Sequence, residues 1–484
     1  MKQSEAYLNR QNFEAYIPQR ILELTKGGKV LDADVVNAYP NDLEKADARE
    51  LLSGNLTSRE RERAVDLLLD GKMVFQFLFA GAATRAAGIL KGGAKYSFSI
   101  DSFRDNVDKV VSLNKEKLKS GAGKEEKKNL EEEISSLERS RKDFEKRSLI
   151  PLCLGAREVC QLRLMLERFS SEKGRAIQDV LNNIFFFVHI NEQSKDFILQ
   201  DFLKHRFFGF HRDHIIFIIQ DAFCGYVFKG DDLKRVEGRS RPFGHGYTLM
   251  QTVTPGSGFI LRGADDVCFI KESPLQYVSD ASKGKALLMN NVNIDDLTKL
   301  TDLVADTERI SFSMQCLLEG DADVLVEGVW NTKGQKGGSW LKDTVSGKKI
   351  LVEGMCLKTS RFQKLFIGEG GGRKDISLMP LLNKMSNTYK IEPLLKYLPE
   401  AGLSNYLDRR DGVFFLESVT GDVTQITNIR SEAFVKIDSQ TQRPEEIQTF
   451  KSVRDVYLTL ESMQKQDSNT DFSSLAERVL ENRS

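Results

Sequence analysis

The sequence is short of several things, and each shortage excludes a class of protein. Its 484 residues hold six cysteines (Cys153, Cys160, Cys224, Cys268, Cys316 and Cys356), scattered through apolar stretches with no C-x-x-C pair. That spacing suits neither a structural zinc site nor a disulfide framework, so a reducing compartment is expected. Net charge is also missing, with 70 Lys and Arg set against 70 Asp and Glu. No overall field draws the chain to nucleic acid or to an anionic membrane, and any polyanion it binds must be held locally. No apolar run reaches the ~20 residues of a membrane span. The stretch "MKQSEAYLNRQNFEAY" lacks the apolar centre of a secretory signal, so the cytoplasm is the expected location. Histidine is scarce, at five residues. No Ser-His-Asp or Cys-His arrangement emerges, which argues against a protein nucleophile.

What is present is a globular α/β pattern. The length suffices for two or three domains, and 40% of the residues are apolar. Residues 1–70 read as a helical segment, with helical spacing in "FEAYIPQRILEL" and a capped start at "TSRERERAVDLLLDG", where Thr57 precedes Glu60 by three and Gly71 marks the stop. The run "MVFQFLFA" (73–80) reads as a buried strand, followed by the small-residue turn "GAATRAAG" (81–88). That turn is neither a Walker loop nor G-x-G-x-x-G, yet glycine and alanine let backbone N–H groups approach phosphate oxygens while a nearby Arg and Lys neutralise them. The Lys- and Glu-rich stretch 106–147, broken at "SGAG", reads as two solvated helices inserted in the domain. Then "LIPLCLG", "NIFFFVHI" and "HIIFIIQ" read as strands separated by the helical "AREVCQLRLMLERF" and "QSKDFILQDFLKHRFFG". This alternation predicts βαβ units and a mostly parallel, Rossmann-like sheet flanked by helices, with ligands beyond the carboxyl ends of the strands. A central domain over 71–385 and a smaller α+β portion over 386–484 complete the expected organisation.

Three stretches taken together, "GKMVFQFLFAGAATRAAGILKGG", "FFGFHRDHIIFIIQDAF" and "RPFGHGYTLMQ", resemble the UDP-N-acetylhexosamine and UDP-glucose pyrophosphorylases, with motifs in family order from residue 71 to about 300. The resemblance implies a nucleotidyltransferase that moves a uridylyl group from UTP to a sugar 1-phosphate, the alternatives being an inactive UTP- or UDP-sugar-binding protein or a partner-binding protein on the same fold. Gly81 and Thr84 match the family's phosphate loop, and Arg85 its phosphate-binding arginine. Lys91 in "LKG" matches the catalytic lysine, with Lys95 as competitor. Gln220 matches the glutamine that reads the uracil edge, Gly244 the backbone that closes on the base, and His245 the base or sugar side. Lys436 in "RSEAFVKID" matches a C-terminal lysine brought to the phosphates. The family's Mg2+ carboxylate stands in "VDN", where this chain has "MNNVNIDD" (289–296). Asn291 and Asn293 lack the charged oxygen that magnesium prefers. Asp295 is therefore the expected ligand, ahead of Asp265 and Asp266. The segment 352–366 resembles a family stretch whose contacts the sequence does not assign. Sugar identity and oligomeric state are left open.

Overall fold

Strands built from near-continuous apolar runs form the centre of the molecule. The computed structural model describes residues 9–26, 29–31, 43–81, 86–90, 94–120, 123–264, 266–301, 306–330, 338–352, 381–441, 445 and 448–481. Strands β1 (Met73–Leu78), β2 (Phe186–Asn191), β3 (Ile215–Gln220) and β4 (Leu288–Val292) lie in the order β3-β2-β1-β4, all parallel. A strand covered on both faces needs apolar side chains on both, which explains "MVFQFL" and "IIFIIQ". Phe75, Phe77, Val188 and Phe217 pack into one core, and Val74, Phe187, Ile216 and Ile218 into the other. Because successive side chains alternate faces, Gln76, His189, Gln220 and Asn291 share the second face.

Among the described residues the sheet has 14 strands. Beyond β3 it continues antiparallel through Gly258–Leu261 and Val267–Phe269. Beyond β4 come Thr388–Lys390 and then Val324–Trp330, both antiparallel to their neighbours. Ser431–Ile437 runs parallel to Val324–Trp330. The expected parallel arrangement therefore holds in the core, and the flanks are mixed, with Ser431–Ile437 pairing in parallel with Arg49–Leu52 as well. A second, four-stranded antiparallel sheet joins Ala222–Lys229 and Asp232–Pro242 to Tyr406–Arg410 and Val413–Glu417.

Several local expectations meet their structural counterparts. The Thr57 cap is reciprocal: Glu60 N–H donates to Thr57 Oγ1 at 3.2 Å and Thr57 N–H to Glu60 Oε2 at 2.9 Å. Helices α1 (Ile100–Lys119) and α2 (Lys124–Phe144) flank the "SGAG" break.

Three others are corrected. Residues 1–70 are not wholly helical, since Leu43–Lys45 and Arg49–Leu52 join the large sheet, pairing with Ser339–Asp343 and Ser431–Ile437. These strands are short and charged, and their partners lie hundreds of residues away, so no local alternation announces them. "LIPLCLG" is a loop leading into α3 (Leu154–Glu172). Pro151 has no N–H to give a ladder, and the neighbouring backbone is satisfied by side chains instead. Ile150 N–H donates to Asp467 at 3.0 Å, and the Ile150 carbonyl accepts from Arg157 at 2.8 Å. Finally, Thr388–Lys390 and Ser431–Ile437 sit in the central sheet, so the chain after 385 helps to build the main body. Among the described residues, no helix is long and apolar enough to cross a membrane.

Candidate active site

The parallel strands end together, and their ends open into a cleft of about 790 Å³. Leu78, Ala80 and Gly81 reach it from β1, His189 and Asn191 from β2, Gln220 from β3, and Asn293 and Asp295 from the turn after β4. The opposite wall comes from the small sheet, through Arg241, Arg410 and Glu417. A space of this size suits a nucleotide-sized ligand.

The wall beside β3 is held by backbone. Gly244 has φ 87°, and a Cβ there would stand 2.4 Å from the Ser418 carbonyl oxygen, so only glycine fits this turn. Ser418 N–H donates to Phe243 O at 2.8 Å and Gly246 N–H to Ser418 O at 3.0 Å, zipping the turn to the strand's end at 417. The Gln220 amide then donates through Nε2 to the Gly244 carbonyl at 3.0 Å. With the nitrogen fixed on that side, Oε1 is the acceptor that Gln220 presents. His245 receives the Thr420 N–H on Nδ1 at 3.0 Å, which leaves the ring proton on Nε2. Burial lowers its pKa to about 4, so the ring is a neutral donor at physiological pH.

On the other side, Lys95 and Asp295 form an ion pair across the floor. Asp295 is positioned by its own neighbourhood, with its N–H on Asn293 Oδ1 at 3.1 Å and its carbonyl accepting from Phe450 N–H at 3.0 Å. The same extended contact, with a bridge between Asp296 and Thr449, delivers Lys451 to the cleft rim. A capping box between Ser452 and Asp455 fixes the chain immediately after it. Lys451 is exposed, and among the described residues no carboxylate pairs with its ammonium.

No protein-family model and no curated protein sequence matches the chain. Solved structures do match. A UDP-N-acetylglucosamine pyrophosphorylase from Trypanosoma brucei aligns with a TM-score of 0.54 at 15% identity, over 90% of this chain and 78% of that one. A UDP-glucose phosphorylase, also from Trypanosoma brucei, gives 0.54 at 14% identity, over 88% and 71%. The UDP-glucose pyrophosphorylase of Leishmania major gives 0.53 at 13% identity, over 90% and 76%. The fold is that of the UDP-sugar pyrophosphorylases.

Within this pyrophosphorylase fold, the residues singled out by sequence fall into three groups. Gly81, Gln220, Gly244, His245, Lys95 and Asp295 line one cleft. Thr84, Arg85, Lys91, Asp265 and nearly all of 352–366 lie outside the described residues. Lys436 is placed elsewhere, held by Asp306 and by Glu308 at 3.0 Å in an ionic cluster outside the cleft lining. Asp266 closes the tight turn between Gly258–Leu261 and the edge strand Val267–Phe269. Asn291 is fully buried and donates to the Tyr389 hydroxyl at 3.2 Å.

Sequence reasoning missed Lys451, whose only signal was the S-x-x-D cap following it. It also missed His189, a lone histidine in the apolar run of β2. Magnesium finds no preformed cradle. Among the described residues no three carboxylates, histidines or cysteines are grouped so as to hold a metal ion, and Asp295 already carries the Lys95 ammonium. These groups fit a lysine–carboxylate pair rather than an octahedral oxygen site.

Proposed function

We propose that the cleft transfers a uridylyl group from UTP to a sugar 1-phosphate and releases pyrophosphate. The observation that carries this reading is the convergence of the Gln220–Gly244 pair and the Gly81 turn on one cleft that Lys95 and Lys451 also line. The structural neighbours, UDP-sugar pyrophosphorylases, support the same chemistry.

Gln220 Oε1 accepts the N3–H of uracil, whereas cytosine carries a bare nitrogen there and meets acceptor with acceptor. The triphosphate runs toward Gly81, where backbone N–H groups of the turn meet its oxygens. Arg85 and Lys91 keep the phosphate-binding roles that the resemblance gives them, and Lys451 takes the role first assigned to Lys436. A sugar-phosphate oxygen attacks the α-phosphorus in line, its P–O bond forms as the bond to pyrophosphate breaks, and the leaving charge is met by the cations. Positioning and neutralisation suffice, and no protein nucleophile enters.

The Lys95–Asp295 pair favours a second reading, a UTP- or UDP-sugar-binding protein without turnover, because the carboxylate is engaged by a lysine. Thermal shift with UTP, CTP, ATP and GTP tests the base, since a ligand bound to the folded state raises the midpoint. UTP is expected to give the largest shift, and Gln220→Ala to erase the preference. Equal shifts for all four would remove uracil recognition. Pyrophosphate release from UTP with a panel of sugar 1-phosphates then separates enzyme from binder.

A further inference from the structure

One group on the cleft floor is left over by this account. His189 lines the cleft, yet its ring is fully buried and its Nδ1 has no hydrogen-bond partner among the described residues. Its other nitrogen is engaged, because Gln76 Nε2 stands 2.7 Å from His189 Nε2. An amide nitrogen can only donate, so His189 Nε2 accepts and the ring proton sits on Nδ1. The apolar neighbours Leu78 and Ile218, in register on either side, offer that proton nothing. Burial lowers the ring's pKa to about 3, so it stays a neutral donor at working pH. A buried N–H donor with no acceptor is costly and rare, and it marks a place where something else accepts.

The position says what. Strand β2 lies between β3, which carries Gln220, and β1, which leads into the Gly81 turn. A nucleotide with its base at Gln220 and its phosphates at Gly81 lays its ribose over β2. We propose that His189 is a specificity-determining residue that donates its Nδ1 proton to a ribose hydroxyl of the bound nucleotide, with Gln76 as the positioning residue that fixes the tautomer. This inference rests on the uridylyl-transfer reading and deepens it, since it makes the cleft selective for ribonucleotides.

Calorimetric titration of the full chain with UTP, 2′-deoxy-UTP, 3′-deoxy-UTP and CTP tests it, using the parent, His189→Leu and His189→Asn, with thermal midpoints as the check on folding. The parent should bind UTP about tenfold more tightly than one of the two deoxy forms, the usual worth of one neutral hydrogen bond. His189→Leu should bring UTP down to the level of that deoxy form while leaving the deoxy form unchanged. His189→Asn, which keeps an N–H donor, should retain part of the preference, and this holds the test open if the leucine variant does not fold. Nitrogen-15 spectra of labelled histidine should show the ring protonated on Nδ1. Equal binding of all three uridine nucleotides by the parent, equal weakening of all three by His189→Leu, or an Nε2-protonated ring would overturn the proposal. If UTP is still preferred over CTP, only this inference falls. If no nucleotide binds, the functional reading falls with it.

Discussion

Asp295 and Asp296 are consecutive residues that face two different charged regions, and the contrast separates architecture from chemistry. Asp296 is fully buried and belongs to a closed cluster. There Lys384 meets Asp296 and Glu327 at 3.2 Å, and Arg309 meets Asp306 and Glu327 at 2.9 Å. Lys436 joins the cluster through Asp306 and Glu308. Each of these three cations has at least two carboxylates. Asp295 looks into the cleft, where Arg10 meets Glu14 and Asp221, but Arg241 and Arg410 share Asp408, and Lys451 has no carboxylate among the described residues. Matched charges hold strands together, whereas unmatched ones are available to a polyanionic ligand.

The largest expected effect comes from breaking the closed side. Arg309→Leu removes the guanidinium that Asp306, Glu327 and Glu445 share. Burial raises the Glu327 carboxyl, but Arg309 and Lys384 outweigh it and hold the group well below the usual carboxylate range. Losing one partner of such a buried set costs about 3–5 kcal/mol. Urea unfolding at pH 7 should report that loss. Because a depressed carboxyl contributes stability above its unfolded pKa and loses it as pH falls through the folded one, the gap between parent and variant should narrow in acid. A variant as stable as the parent would mean that the cluster contributes nothing.

Exchanging the two lysines sharpens the contrast. Lys451→Ala should lower turnover by about two powers of ten, the usual worth of a charge aimed at the transferred phosphate, with stability unchanged to within about 0.5 kcal/mol. Lys436→Met should do the reverse, costing about 2 kcal/mol of stability and leaving turnover near the parent's once the protein is folded. Steady-state pyrophosphate release and unfolding midpoints on the same preparations decide it. If Lys436→Met abolishes turnover in a folded protein, the assignment by sequence was the better one.

The two lysines also show how far the sequence could be read. Lys436 sits in a β-rich run that resembles the expected segment, and only the carboxylates from residues 306, 308 and 445 reveal that it is occupied. Those partners are distant in sequence, so no local pattern contains them. Core strands such as "IIFIIQ" were legible because burial on both faces imposes an unbroken apolar run. Gln220 and Gly244 were legible as motif residues, yet the bond that orients the amide depends on a turn pinned by Ser418. His189 was invisible as a site residue because a lone histidine in an apolar strand ordinarily packs, and its orphaned Nδ1 appears only once its neighbours are known.

Glu158 stands between the two regions and gives the smallest expected effect. It lies on α3, is fully buried, and neither carboxyl oxygen has a hydrogen-bond partner among the described residues. Burial, then Asp296, raises its pKa well above the ordinary value; Lys299 pulls the other way and Asp295 adds to the rise. The folded protein therefore keeps this proton at pH values where the unfolded chain has released it. Stability should be fully present below the unfolded pKa and fall as pH rises toward the folded one. Glu158→Gln replaces the acid with a neutral group of the same shape and removes that slope. In urea unfolding, the stability difference between parent and variant should be flat below about pH 3, where the glutamate is uncharged folded and unfolded, and should shift steadily in favour of the glutamine as pH rises to about 8. Taking the difference between the two proteins at each pH removes the contributions of other titrating groups to the extent that they are independent of residue 158. A constant difference across that range would show that Glu158 is ionised and paired in solution, which would make it part of the closed cluster.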